Sequence, residues 1–364
     1  MNIEMKKRTG GWLNAGLHRL GLHLLKHGEF DRLASIDTDH ARLCARLGLP
    51  RNGLLWRPNR SAGSVPPGEA AYLTHDNPRL RELHERYARV NSPLITRSKW
   101  TGAFVNRDVP LTMFRADGGY VYQLRQNVPA HYVVTAKYIR AIDRLGLLDR
   151  LGEDDAFGVY GVRLSDGRLV TRDLLDSIAE IYFLDRVLGI SGLSDVRILD
   201  IGAGYGRFAH RVTAALPGVE KVFCVDAIPE STFLAEYYLR FRGATPRAVV
   251  VTLDTMEDTL SATKLDLAVN IHSFSECALE TIAAWASVLA KLRVKHLMVV
   301  PNPATHGGHE LLSRELDGRR LDFSAALRDA GYILKEKQPK YLDPDVQVHG
   351  ISPTCHYLFE YRAG

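Results

Sequence analysis

The run VRILDIGAGYGRFAHRV, residues 196–212, constrains this chain more than any other part of it. Apolar side chains at 196, 198, 199 and 201 read as a buried strand, and a helical spacing begins just after Gly206. Between them, glycines at 202, 204 and 206 let the backbone turn tightly and approach a ligand without side-chain obstruction. The helix start beside them offers free backbone amides, suited to a carboxylate or a ribose edge. A strand, a glycine turn and a helix in this order open an α/β unit, not an all-α or all-β one.

The rest of the C-terminal half continues that theme. Apolar runs of strand length alternate with helical segments, predicting strands at 196–200, 221–225, 247–253, 266–271 and 295–300 in a parallel sheet with right-handed crossovers. Two further runs, 332–335 and 356–361, predict an antiparallel edge. A dinucleotide fingerprint would need its third glycine at position 207, where the chain has Arg207, so a nicotinamide cofactor is disfavoured.

The N-terminal half is mixed. Helical periodicity runs through residues 11–49, 78–90, 129–150 and 171–188, with short strands expected at 120–124 and 157–164 and a Gly/Pro-rich arm at about 50–67. On the 171–188 helix, Leu174, Ile178, Ile181 and Leu184 form an apolar stripe, while Asp173, Asp176 and Glu180 read as a solvated face. The expected division is a helix and arm at 1–75, a mixed, mainly helical substrate-shaping region at 76–190 and an α/β domain at 191–364.

The 364 residues carry 47 basic and 42 acidic side chains without a long basic block, which argues against a nucleic-acid partner. Four scattered cysteines show no metal-site spacing or disulfide framework, and neither a signal-peptide core nor a membrane span is legible. These features predict a cytoplasmic protein without a membrane partner, compatible with homo-oligomers. Two candidate metal groupings, His306 with His309 and Glu310, and Asp173 with Asp176 and Glu180, lack recognised ligand spacings, so no metal is assigned.

Asp200 followed by Gly202, Gly204 and Gly206 resembles the first motif of class I methyltransferases, whose acidic residue holds the methionine amino group of S-adenosylmethionine. The second strand ends in Asp226, where such sheets place a carboxylate against ribose hydroxyls, with Ala227 beside it. The competing reading of Asp226 is a cap on the following helix. The third strand brings Asp254 and Thr255 to the same sheet edge, toward adenine, and the fourth ends in Asn270, His272 and Glu276. Asn270 would position methionine or substrate. A hydroxyl needs a base during in-line methyl transfer, and His272 suits that role, with Glu276 four residues on to orient its imidazole if a helix starts there. Otherwise His272 is a partly buried histidine that bonds a backbone carbonyl.

Taken together, TRDLLDSIAEIYFLDR, ILDIGAGYGRFAHR, VDAIPESTFLAEYYLR and NIHSFSE resemble the sugar O-methyltransferase family over roughly residues 80–361. The resemblance implies a Rossmann-like class I methyltransferase fold, S-adenosylmethionine as donor and a sugar hydroxyl on a natural product as acceptor, as in antibiotic biosynthesis. It also implies that Arg172, Asp173, Asp176 and Ser177 lie near the site, with His356 from HYLFEY a further substrate candidate. A sugar amine as acceptor, and a non-catalytic donor-binding subunit, stay open as alternatives.

Overall fold

The computed structural model describes residues 64–362 except 97, 117, 121–126, 128 and 304–309. The expected helix at 11–49, most of the 1–75 segment, the strand at 120–124 beyond Tyr120 and the His306/His309 pair lie outside the described residues.

The described residues form nine strands: β1 Gly161–Arg163, β2 Leu169–Thr171, β3 Val196–Ile201, β4 Val219–Val225, β5 Ala248–Val250, β6 Leu267–Ile271, β7 His296–Val300, β8 Tyr332–Pro339 and β9 Cys355–Tyr361. The first two form an antiparallel hairpin, and the other seven form one sheet in the order β5-β4-β3-β6-β7-β9-β8. Strands β3 to β7 pair in parallel, while β9 runs antiparallel to both β7 and β8. The two C-terminal runs are strands, as expected, but β8 is the edge and β9 lies inside it. The order reverses at β3, where the chain leaves for β4 on one side and later returns as β6 on the other. Crevices at such a switch point, outside the carboxyl ends of the strands, are where open α/β sheets bind ligands.

The helix Arg172–Leu188 starts where Thr171 Oγ1 accepts the Leu174 amide at 3.1 Å, and it ends at Gly189 in the left-handed region. Its apolar stripe is buried as expected. Its acidic side chains, however, are buried too: Asp173, Asp176 and Glu180 are at most 4% exposed, so the solvated-face reading is wrong. Helices on both sides leave no water-facing stripe, and each carboxylate meets a cation supplied by another part of the chain. Glu180 pairs with Arg207, Asp176 with Arg172 and Lys340, and Asp173 with Arg115.

Arg115, fully buried, is the hub of the largest such cluster. It reaches Asp173 at 3.0 Å, Glu153 at 2.8 Å and Asp154 at 3.1 Å, while Arg211 binds Glu153 and Arg242 binds Asp154. Burial by itself would raise the Glu153 carboxyl, but Arg115 and Arg211 outweigh it and hold it at about 2. The cluster joins the 111–116 and 153–156 loops to the helices that flank the sheet. The expected helix at 129–150 is two helices, Pro129–Ile142 and Leu147–Arg150, separated at Gly146 in the left-handed region. The expected strand at 157–164 is shortened to β1, because Phe157 has a positive φ of 60°. Among the described residues, no helix is long and apolar enough to cross a membrane.

Candidate functional site

At the carboxyl ends of β3, β4 and β6 the chain encloses a cavity whose floor is the glycine turn. All three glycines have positive φ, and each has a neighbour where a side chain would stand. An added Cβ at Gly202 would lie 2.2 Å from Ser273 Oγ, and one at Gly206 would lie 3.0 Å from Leu239 of the helix Pro229–Phe241. Gly206 therefore supplies the close packing that a dinucleotide fingerprint would place one residue later.

Backbone and side-chain bonds hold the turn. Gly202 and Ala203 donate to Val225 O at 2.9 and 3.2 Å, and Gly204 donates to Asp226 Oδ2 at 2.9 Å. The other Asp226 oxygen accepts the Ile228 amide at 2.9 Å. Asp226 thus lines the cavity and also braces the turn against the next helix, although Ile228, not Asp226, is that helix's N-cap. Asn270 is sealed behind the turn: its amide nitrogen donates to Ile201 O and Ser273 Oγ, and its oxygen accepts the Phe274 amide. It is absent from the cavity wall, so it shapes the site from behind without a free group of its own.

Asp200, 3% exposed, lines the cavity with its Oδ2 atom buried and, among the described residues, without a hydrogen-bond partner. Burial pushes its carboxyl up to about 7. An isolated buried carboxylate oxygen is costly unless a cation or donor reaches it.

The opposite wall comes from β6, β7 and an N-terminal strap. His272, the residue after β6, has a φ of 69° and places Nδ1 3.2 Å from Pro301 O. Burial foremost, then Arg172, lowers its pKa well below 6.5, so the imidazole is neutral. Glu276 does not orient this ring. It ends a 3₁₀ turn, Ser273–Glu276, whose three-residue period carries a side chain four positions on to a different face. Its carboxylate is bound instead by Lys99, by Trp100 Nε1 at 2.5 Å and by Asn302 Nδ2 at 3.2 Å. These donors overcome burial and hold Glu276 ionised, with its pKa lowered. Ser98 Oγ adds a bond to Glu276 O, so the 98–100 strap is tied down over the cavity. Trp100 packs on Tyr120, which stands against Gly204 and donates to or accepts from Ser231.

The remaining expected site residues separate. Arg172 lines the cavity, with Nε on Asp176 Oδ2 at 2.9 Å. Asp173, Asp176 and Ser177 sit behind that wall. Asp173 accepts from Arg115 and from Tyr205 of the glycine turn, Ser177 accepts from Arg207, and Asp176 is held ionised against the effect of burial by Lys340 and Arg172. Asp254 and Thr255 are not in the cavity wall. Asp254 is gripped by Arg86 through two bonds of 2.9 and 3.0 Å, and Thr255 bonds Thr252, so the end of β5 closes on an N-terminal helix. The cavity lining is apolar instead at Leu94, Ile228, Cys277 and Trp285. His356 does not line the cavity either: it is fully buried against Phe183, has no partner at either ring nitrogen among the described residues, and burial lowers it to about 3. Sequence reading did not find Lys99, Trp100, Tyr120, Arg115 or Asn302. They come from segments distant in sequence, and only the fold brings them together. No grouping of metal-binding side chains occurs among the described residues.

The sheet order, the glycine turn at its switch point and the antiparallel β9 define a class I methyltransferase fold, as the sequence led us to expect. No family model matches the chain. No curated protein matches it in sequence. Among solved structures, it is similar to a SAM-dependent methyltransferase from Aquifex aeolicus at 15% identity, covering 49% of this chain and 89% of that one with a TM-score of 0.36. It is also similar to magnesium protoporphyrin IX methyltransferase from Synechocystis with bound SAM, at 14% identity, 64% and 97% coverage and a TM-score of 0.34. A third is the [4+2]-cyclase SpnF, at 15% identity, 63% and 97% coverage and a TM-score of 0.37. Likeness at this level assigns no reaction.

Proposed function

We propose that this protein is an S-adenosylmethionine-dependent O-methyltransferase whose acceptor is a sugar hydroxyl on a glycosylated or sugar-derived natural product. The observation that carries the donor assignment is the buried, unpartnered Oδ2 of Asp200 on the cavity floor. An amino acid's ammonium group supplies the charge and the donors that this atom lacks. Asp226 and Ala227 beside the glycine turn would take the ribose, and the apolar lining of Leu94, Ile228 and Trp285 would take adenine. When bound, the donor supplies an electrophilic methyl group on a sulfonium centre.

The chain's own part is to hold the acceptor, exclude water and receive a proton. His272 is neutral, and with Nδ1 facing Pro301 O it carries its own ring proton on Nδ1 and keeps a lone pair on Nε2 to receive the acceptor's proton. This is the state a general base needs when a hydroxyl loses its proton as its oxygen gains the methyl group. Sugar acceptors are supported by the sequence resemblance and by a wall that mixes Trp100 and Tyr120 with polar side chains. The lowered basicity of His272 favours a second reading, a sugar amine, because a neutral amine needs less help from a base.

Titration calorimetry with S-adenosylmethionine, S-adenosylhomocysteine and NAD tests the donor. We expect one site for the first two, none for NAD, and binding at least tenfold weaker in Asp226→Ala, which loses both a hydroxyl acceptor and the brace on Gly204. A wild type that binds neither sulfur compound refutes the reading. Methyl transfer that survives His272→Gln moves the acceptor from hydroxyl to amine.

A further inference from the structure

Two hydrogen-bond acceptors in the cavity wall have their orientation dictated by chemistry. A carboxylate cannot donate, so the Asn302 group 3.2 Å from Glu276 Oε1 is the NH₂, and the amide oxygen is turned the other way. A carbonyl cannot donate either, so His272 faces Pro301 O with Nδ1–H and keeps its lone pair on Nε2. Pro301 and Asn302 are consecutive residues just past the end of β7, and both His272 and Asn302 line the same cavity. Among the described residues, neither Asn302 Oδ1 nor His272 Nε2 has a protein donor. Asn302 is further pinned by its backbone N–H, which donates to Ser275 Oγ at 3.2 Å, and by the grip of Lys99 and Trp100 on Glu276.

The same cavity offers an acceptor no uncompensated positive charge. Its three cations, Lys99, Arg172 and Arg207, face Glu276, Asp176 and Glu180 respectively. A carboxylated or phosphorylated acceptor would have to displace a buried carboxylate from its partner, at a cost that a neutral molecule avoids.

We propose that Asn302 and His272 form a two-point subsite for a neutral polyol: His272 Nε2 takes the hydroxyl that is methylated, and Asn302 Oδ1 accepts a hydrogen bond from a second hydroxyl of the same sugar. This rests on the methyltransferase reading above. Asn302 is then a specificity-determining residue, which selects acceptors by a hydroxyl that does not react.

The test uses the full chain with S-adenosylmethionine and three probes, the methyl glycosides of glucose, mannose and rhamnose, each with its monodeoxy counterparts, reading S-adenosylhomocysteine formation. For the glycoside that is turned over, we expect removal of one non-reacting hydroxyl to lower kcat/KM roughly 10- to 100-fold. Asn302→Leu should lower it by a similar factor on the parent glycoside and by less than about threefold on that deoxy analogue, because the same bond is already gone. Its affinity for S-adenosylhomocysteine should stay within about twofold of wild type, which also shows that the variant is folded. The subsite is overturned if Asn302→Leu matches wild type on the parent glycoside, or if every deoxy analogue is as good a substrate as its parent. It is overturned together with the sugar assignment if a protein that binds S-adenosylhomocysteine methylates none of the glycosides. Failure of wild type to bind either sulfur compound removes the donor instead, and the subsite with it.

Discussion

Two carboxylates in the lining of the cavity are in opposite states. Asp200, on the floor, has an oxygen with no partner and a carboxyl raised to about 7, whereas Glu276, on the strap side, is held ionised by Lys99, Trp100 and Asn302. Asp200 is 3% exposed and the Glu276 side chain 10%, so exposure to water does little to separate them. The difference is whether the fold supplies the counter-charge. Where it does, the carboxylate organises its surroundings, and where it does not, the site is built for something that arrives from outside.

The sharpest way to break this comparison is Asp200→Asn. Loss of the ammonium partner should weaken S-adenosylhomocysteine binding at least a hundredfold by calorimetry, while the fold gains stability at pH 8. The sign follows from linkage: folding raises this carboxyl from 3.8 to about 7, so the wild type loses stability as pH rises through that window, by at most about 4 kcal/mol, and the variant does not. The same carboxyl must be ionised to hold an ammonium group. Wild-type donor affinity should therefore fall by up to about tenfold per pH unit below 7, and affinity that is flat from pH 5 to 8 would show that Asp200 is not the partner.

Glu276→Gln should act the other way. It leaves Lys99 facing a neutral amide in a buried position, and we expect a loss of about 3 kcal/mol of unfolding free energy in denaturant titrations. Stability equal to wild type would mean that the strap does not depend on this carboxylate. The smallest effect should come from His356→Leu. A neutral, fully buried imidazole with both nitrogens unsatisfied gives up little to an apolar side chain of similar size, so stability at pH 7 should change by less than about 1 kcal/mol. Donor affinity should be unaltered. A large loss of donor binding would return His356 to the site from which its position removes it.

Much of this was legible in sequence because it is local. Glycines at 202, 204 and 206 declare a backbone that must turn with positive φ, and Thr171 ahead of an apolar stripe declares a helix start. The alternation of apolar runs with helices declares a parallel sheet, and the chemistry of each signal is complete within a few residues. The acidic side of the Arg172–Leu188 helix was misread for the complementary reason. Charge on one helix resembles a solvated face unless its partners are known, and Arg115, Arg207 and Lys340 come from segments up to 164 residues away from the acids they neutralise.

By itself, then, the sequence determined that this chain builds a Rossmann-like sheet with Asp200 and Asp226 beside a glycine turn, since strand periodicity and glycine geometry are properties of short stretches. Only the tertiary structure decided what those groups face. It left Asp200 without a counter-charge, gave Glu276 to the strap instead of to His272, moved Asp254 and His356 out of the cavity and brought in Asn302. Each of these is an electrostatic or hydrogen-bonding relation between segments distant in sequence, and such relations exist only once hydrophobic burial has brought the segments together.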